Sequence, residues 1–237
     1  MFDSRLYLPG LLFSVVVLGG CTQQAARPNE EPAGNIFKNA LRGMVIGQTY
    51  DRALLAQGRG DEKAYQEANS RLAFLLPPDD LPQDPLFLNN TGYLLADKGQ
   101  TPQEFERAET LTRRSLELWE QQITKAKASE QPLLRYTQAI TARDSLAWAL
   151  FKQKRYDEAL KEQQRAIADA RKHRPQQLLT AQDSLPDLLY HLGAIHAARG
   201  ETQKARVAFD EALKLQPAHA EATAARAKLP EIDGKQP

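Results

Sequence analysis

The chain has 237 residues, with 31 Lys and Arg against 30 Asp and Glu and a formal net charge of +1. So even a balance argues against a nucleic-acid-binding protein, which carries a basic patch or stripe, and a single cysteine permits no intrachain disulfide. Stability therefore rests on apolar burial, in a chain rich in the helix formers Ala, Leu, Gln, Glu, Lys and Arg.

Residues 6–18 are apolar apart from Pro9, Gly10 and Ser14, too short a run for the ~20 residues that span a bilayer. A short apolar core behind a small charged head, here Arg5 with Asp3 opposing it, marks a secretory signal rather than a fold element. The run closes on Leu18-Gly19-Gly20-Cys21, which resembles the lipobox of bacterial lipoproteins. The resemblance implies cleavage of residues 1–20 and lipid on Cys21, so that the membrane is a partner through the anchor. Thr22 stands where Asp would retain a lipoprotein in the inner membrane, which implies the periplasmic face of an outer membrane if the cell has one. The competing reading, a buried free thiol, is opposed by the Thr, Gln, Gln and Ala that follow Cys21. Residues 21–34 are then a lipidated cysteine and tether: they hold two prolines and no large apolar side chain. A flexible tether of this length reaches on the order of 20 Å.

Ordered structure is expected to begin at Asn35, an N-cap residue type. Ile36, Ala40, Met44, Gly47 and Tyr50 recur at helical spacing, Gly58 and Gly60 end that helix, and Asp61 caps a second reaching about Leu76. Pro77, Pro78, Pro82 and Pro85 mark a rigid connection that completes a 35–85 segment. From residue 86 to 229 the helices come in pairs, and residues 230–237 form a frayed tail.

Each first helix of a pair carries a small residue, Gly92, Ala147 or Gly193, and each second helix carries Ala108, Ala159 or Ala205. Seven positions later stands another small residue, Ser115, Ala166 or Ala212. Glycine inside a helix costs roughly 0.5–1 kcal/mol against alanine, so glycines at matching places point to close helix contact. The pattern resembles the tetratricopeptide repeat, a helix-turn-helix unit of about 34 residues. The third unit matches through Leu189, Leu192, Gly193, Ala205, Phe209, Ala212 and Pro217, and the second through Leu146, Ala147, Leu150, Tyr156, Ala159 and Ala166. In the second, Arg143 and Gln163 stand where bulky apolar residues are usual. The first matches through Gly92, Leu95 and Gly99, with four extra residues before Ala108.

The resemblance implies an all-α fold, an α-α superhelix of antiparallel helix pairs closed by a capping helix over residues 218–229. Gly92 and Ala147 stand 55 positions apart and Ala147 and Gly193 46, beyond the ~34 of a tandem repeat. The surplus lacks breakers, so lengthened helices are expected, with turns near residues 129–132 and near Pro175. Residues 35–76 form a degenerate pair without the signature.

A search for chemistry finds no catalytic motif, no cofactor fingerprint and no metal-binding spacing. His191 and His196 are five apart, off the three or four that share a helix face, and with His173 and His219 they read as polar surface or groove residues. Arg59-Gly60-Asp61 spells an adhesion tripeptide and Asn89-Asn90-Thr91 a glycosylation acceptor; a helix stop with a cap, and a helix interior, explain them better.

What remains is a surface. In tetratricopeptide arrays the first helices line the concave side, and carrying those positions over selects Asn89, Tyr93, Asp144, Trp148, Tyr190 and Ala194, with Phe151, Lys152 and Asp97 a turn further on. The chaperone-binding version of the fold places Lys and Asn there to clamp a C-terminal carboxylate; here aromatics replace most of them. Tyr and Trp join large contact area to a polar handle, which suits a groove for a peptide or helix of a protein partner. The same aromatics could instead cover neighbouring helices, and the exposure of Trp148 separates the two. The sequence thus implies a lipid-anchored scaffold that is not an enzyme, acting in envelope assembly, pilus biogenesis or secretion. A small-ligand pocket between the long hairpins is the alternative.

Overall fold

The computed structural model describes residues 33–76, 81–126, 132–179 and 183–230. The lipobox-like run, most of the tether, Pro77 and Pro78 and the C-terminal tail lie outside them. The chain divides into two units, Met1–Asn39 and Ala40–Pro237; the first is described only over the opening residues of a helix, and the array of helix pairs belongs to the second.

Nine helices and no strand occur among the described residues: α1 (Ala33–Gly58), α2 (Glu62–Leu75), α3 (Pro85–Lys98), α4 (Pro102–Lys125), α5 (Pro132–Lys152), α6 (Tyr156–Leu179), α7 (Leu185–Ala198), α8 (Thr202–Leu215) and α9 (Ala220–Ala227). The fold is all-α, with α3–α4, α5–α6 and α7–α8 as pairs and α9 as the cap. First helices α3, α5 and α7 pack side by side, each backed by its own second helix. The first helix starts at Ala33, so Asn35 lies two residues inside it rather than at its cap.

Local chemistry explains most boundaries. Asp61 accepts from the Ala64 N–H at 3.0 Å, as an N-cap should. Asp84 does the same for α3, accepting from Leu86 and Phe87 N–H with Pro85 in the first turn. Thr101 and Glu104 form a reciprocal capping box at the head of α4. Gly60 and Gly200 take positive φ of 68° and 76° at helix ends, and Lys154 adopts 63° at the equivalent place after α5.

The small residues mark the closest approaches. A Cβ on Gly193 would sit 2.4 Å from the Phe209 ring, and one on Gly92 would sit 2.7 Å from Thr112 Cγ2. Ala108, Ala159, Ala205, Ser115, Ala166 and Ala212 are fully buried. Of the four extra residues in the first pair, three extend the head of α4: Ala108 is six residues inside α4, whereas Ala159 and Ala205 are three inside α6 and α8.

One expected turn falls later than Pro175, in the stretch between Leu179 and Leu185. The helix α6 continues through Pro175 to Leu179, although an interior proline costs a helix about 3 kcal/mol. Contacts on its near side offset that cost: His173 stacks on Tyr136 with ring centroids 4.5 Å apart, and Arg174 pairs with Asp183 at 3.0 Å.

Behind the array, α2 ends against two arginines. Arg42 donates to the Leu75 carbonyl, and the buried Arg107 of α4 donates to the carbonyls of Ala73 and Leu76 at 2.6 and 2.5 Å. These are the carbonyls a helix C-terminus leaves without partners.

Candidate functional site

The expected groove residues separate into a floor and a rim. Asn89, Asp144 and Trp148 are only 5 %, 6 % and 6 % exposed. Tyr93, Phe151, Lys152 and Tyr190 are half-buried and line the opening above them. Cys21 lies outside the described residues.

The floor is built around an imidazole whose sequence spacing reads as a polar surface or groove residue. His191, on α7, is buried, and its Nδ1 lies 2.8 Å from Asp144 Oδ1 on α5. Gln163, on α6, donates to the same oxygen at 2.7 Å and to the Leu188 carbonyl at 2.8 Å. Burial alone would lower the His191 pKa, but the charge and hydrogen bond of Asp144, with Asp187 and Asp97 behind it, hold it above its ordinary value. The ring is therefore an N–H donor to Asp144, and one acidic residue joins three helices.

Aromatic rings close over this centre. Trp148 stacks on His191 at 4.3 Å and on Phe151 at 4.7 Å. The rings of Tyr93 and Tyr190 stand 6.4 and 5.3 Å from that of His191. The exposure test thus goes against Trp148 as a partner-facing side chain: it covers neighbouring helices. The reason is side-chain packing. The Trp148 ring lies between those of His191 and Phe151, with that of Tyr190 6.3 Å away. Lys152 reaches out along the rim, donating to the Asp97 carbonyl at 3.3 Å with its ammonium 5.5 Å from the Trp148 ring.

Two more histidines, expected at the surface or in the groove, are buried against carboxylates. His196 Nδ1 is 2.5 Å from Glu201 Oε2. His219 caps α9 by accepting from the Ala222 N–H at 3.3 Å, and its Nε2 lies 3.1 Å from Asp187 Oδ1, close but outside hydrogen-bond geometry. The sequence did carry one signal for the network. Gln163 breaks the repeat pattern where Phe209 satisfies it, and a polar residue at an apolar position calls for a polar partner.

An Asp–His pair can orient a general base; here His191 is 4 % exposed, with the Trp148 ring stacked over it. The arrangement is a hydrogen-bonded and stacked cluster that ties α5, α6 and α7 together. Elsewhere, a cleft of about 490 Å³ lies between α2, α3 and the head of α4, with Ser70, Leu94, Lys98 and Glu104 among its walls. A second, of about 430 Å³, runs between the long helices α4, α5 and α6 and is walled by Arg113, Glu117, Arg143, Glu162 and Arg165. The second is the place where the small-ligand alternative put its pocket, and no aromatic lines it.

Residues 140–174 and 186–219 each match a family model described as tetratricopeptide repeat. No curated protein matches the chain. The α3–α4 pair lies outside both matches, yet Gly92 packs on α4 as Gly193 packs on α8.

Proposed function

We propose that this chain, a tetratricopeptide-repeat protein, is a membrane-anchored scaffold that holds a segment of another protein in the opening along α3, α5 and α7. One observation carries the reading: three successive first helices present Tyr93, Phe151, Lys152 and Tyr190 half-exposed above a floor already locked by hydrogen bonds and stacking. Aromatic side chains held in place by their neighbours lose little entropy on binding, which is how a few residues come to supply most of an interface's affinity. The mechanism is recruitment without catalysis. Lipid on Cys21 would fix the location and raise the local concentration of the groove near its partner. A single acyl chain binds membranes only marginally, so the firm hold comes from several. An outer-membrane, periplasm-facing site and a part in envelope assembly, pilus biogenesis or secretion belong to the same proposal, resting on Leu18-Gly19-Gly20-Cys21-Thr22.

The test is photo-cross-linking in cells with a reactive residue at Tyr93 or Ala194 in the opening and, as control, at the exposed Val207 of α8. Cross-links to a discrete protein from the opening alone are expected; equal yields from Val207 would refute the groove. Labelled fatty acid should enter the wild type and not Cys21→Ser, and equal incorporation would refute the anchor.

A further inference from the structure

Among the described residues, three of the large apolar side chains left in solvent belong to one end of the α1–α2 hairpin. Leu41 and Met44 on α1 are 45 % and 60 % exposed, and Phe74 on α2 is 56 % exposed. The chain reverses between the two helices, and Arg42 Nε donates to the Leu75 carbonyl at 2.7 Å, which sets residues 41–44 beside residues 74–75. The inward faces of the same helices are already satisfied. Thr49, Ala53 and Ala56 are buried on α1, Leu72 and Ala73 on α2, and Ile46 packs on the core. Leu41, Met44 and Phe74 are therefore a second apolar surface that points away from the core.

The charge around them is of one sign. Residues 33–50 and 68–76 hold Lys38, Arg42 and Arg71 and no Asp or Glu. Arg42 and Arg71 are exposed, and neither pairs with a carboxylate among the described residues. Glu30, Glu31, Asp79 and Asp80 flank these stretches in sequence, outside the described residues. Apolar side chains with cations at their rim suit a lipid surface, where the apolar groups enter at headgroup level and guanidinium groups meet phosphate.

The path of the chain says which surface is in reach. Ala33, the first residue of α1, stands 12 positions after Cys21, a stretch that spans at most roughly 40 Å. A second copy fits the patch less well. Beyond Met44 the exposed side of α1 carries Gln48, Asp51 and Arg52 before Leu55, whereas a two-helix seam needs apolar residues to recur at those places.

Resting on the lipid anchor proposed above, we propose that this end of the hairpin lies on the bilayer that holds the anchor. Leu41, Met44 and Phe74 enter the headgroup level, and Arg42 and Arg71 meet anionic phosphate there. The acylated cysteine fixes where the chain is; the patch fixes which side of its body faces the lipid.

The experiment uses the full acylated chain in vesicles of phosphatidylethanolamine and phosphatidylglycerol with brominated tails. Cys21 is the only cysteine, and acylation blocks its thiol, so Met44→Cys, Phe74→Cys and the control Val207→Cys each take one thiol-reactive fluorophore. Bromine is expected to quench the label at 44 and 74 at least ~3-fold more than at 207. That excess is expected to shrink when phosphatidylcholine replaces phosphatidylglycerol. Equal quenching at the three positions would overturn the proposal, and an excess indifferent to the lipid exchange would overturn its charge assignment. Shielding at 44 and 74 that bromine does not reach, and that grows with the number of chains per vesicle, would assign the patch to a second copy and overturn it as well. The anchor is read separately: two labels per chain mean a free Cys21 thiol, and the anchor and this contact fail together, whereas one label with equal quenching fails the contact alone.

Discussion

The pairs α5–α6 and α7–α8 match the same repeat and differ in how they fill it. In α7–α8 the small residue is Gly193 and the residue packed on it is Phe209, a fully buried apolar contact. In α5–α6 the equivalent residues are Ala147 and Gln163, and the glutamine amide bonds Asp144 and the Leu188 carbonyl instead. The turns differ likewise: Gly200 takes positive φ without a side chain, whereas Lys154 takes it with one. One pair obeys the pattern and is held by packing. The other departs from it and adds to its apolar packing a polar network that reaches across to its neighbour's His191. Departures from a repeat therefore mark where one unit has been made to depend on the next.

The strongest way to break that contrast is Asp144→Ala. It strands His191 and Gln163, and removing one partner of a buried pair costs about 3–5 kcal/mol; the same change at an exposed acid such as Asp210 should cost well under about 1 kcal/mol by denaturant titration. Next is Gly193→Ala, which drives a methyl into the Phe209 ring and should cost about 1–3 kcal/mol. Adding Phe209→Leu should recover part of that loss, and a purely additive double variant would refute the contact.

The pH dependence sharpens the comparison further. Because the fold holds His191 above its ordinary value of about 6.5, its contribution is fully present below that value and is lost as pH rises through the raised one. Stability should therefore fall over that alkaline-side window in the wild type and less steeply in Asp144→Asn. The smallest effects belong to the turns. Gly200→Ala should cost about 1 kcal/mol, since a left-handed backbone disfavours a Cβ, and Lys154→Gly should gain a few tenths, to about 1 kcal/mol.

Much of the scaffold was legible because it is written locally. The small residues of each pair, the Asp61 cap, the Gly60 stop and the closing helix all express rules that act within a turn or two of chain. The groove was legible only in outline. Carrying positions over from the repeat selected one face of α3, α5 and α7, but exposure depends on what packs against each side chain, and distant neighbours bury Asn89, Asp144 and Trp148. His191 was missed because its partner stands 47 positions away, beyond any spacing rule. The Pro175 turn failed for the converse reason: a strong local signal was overridden by contacts with α5 and the segment before α7.

Arg107 has a consequence for where the folded body begins. Its guanidinium is buried and spends its hydrogen bonds on the last carbonyls of α2, with no carboxylate bonded to it among the described residues. A chain trimmed to residues 86–237 would leave that charge facing an empty socket, and the scar would sit inside α4, the longest wall of the first pair. The helices that lack the repeat signature are thus the foundation course of the array, and trimming to the recognisable repeats would undermine the first of them.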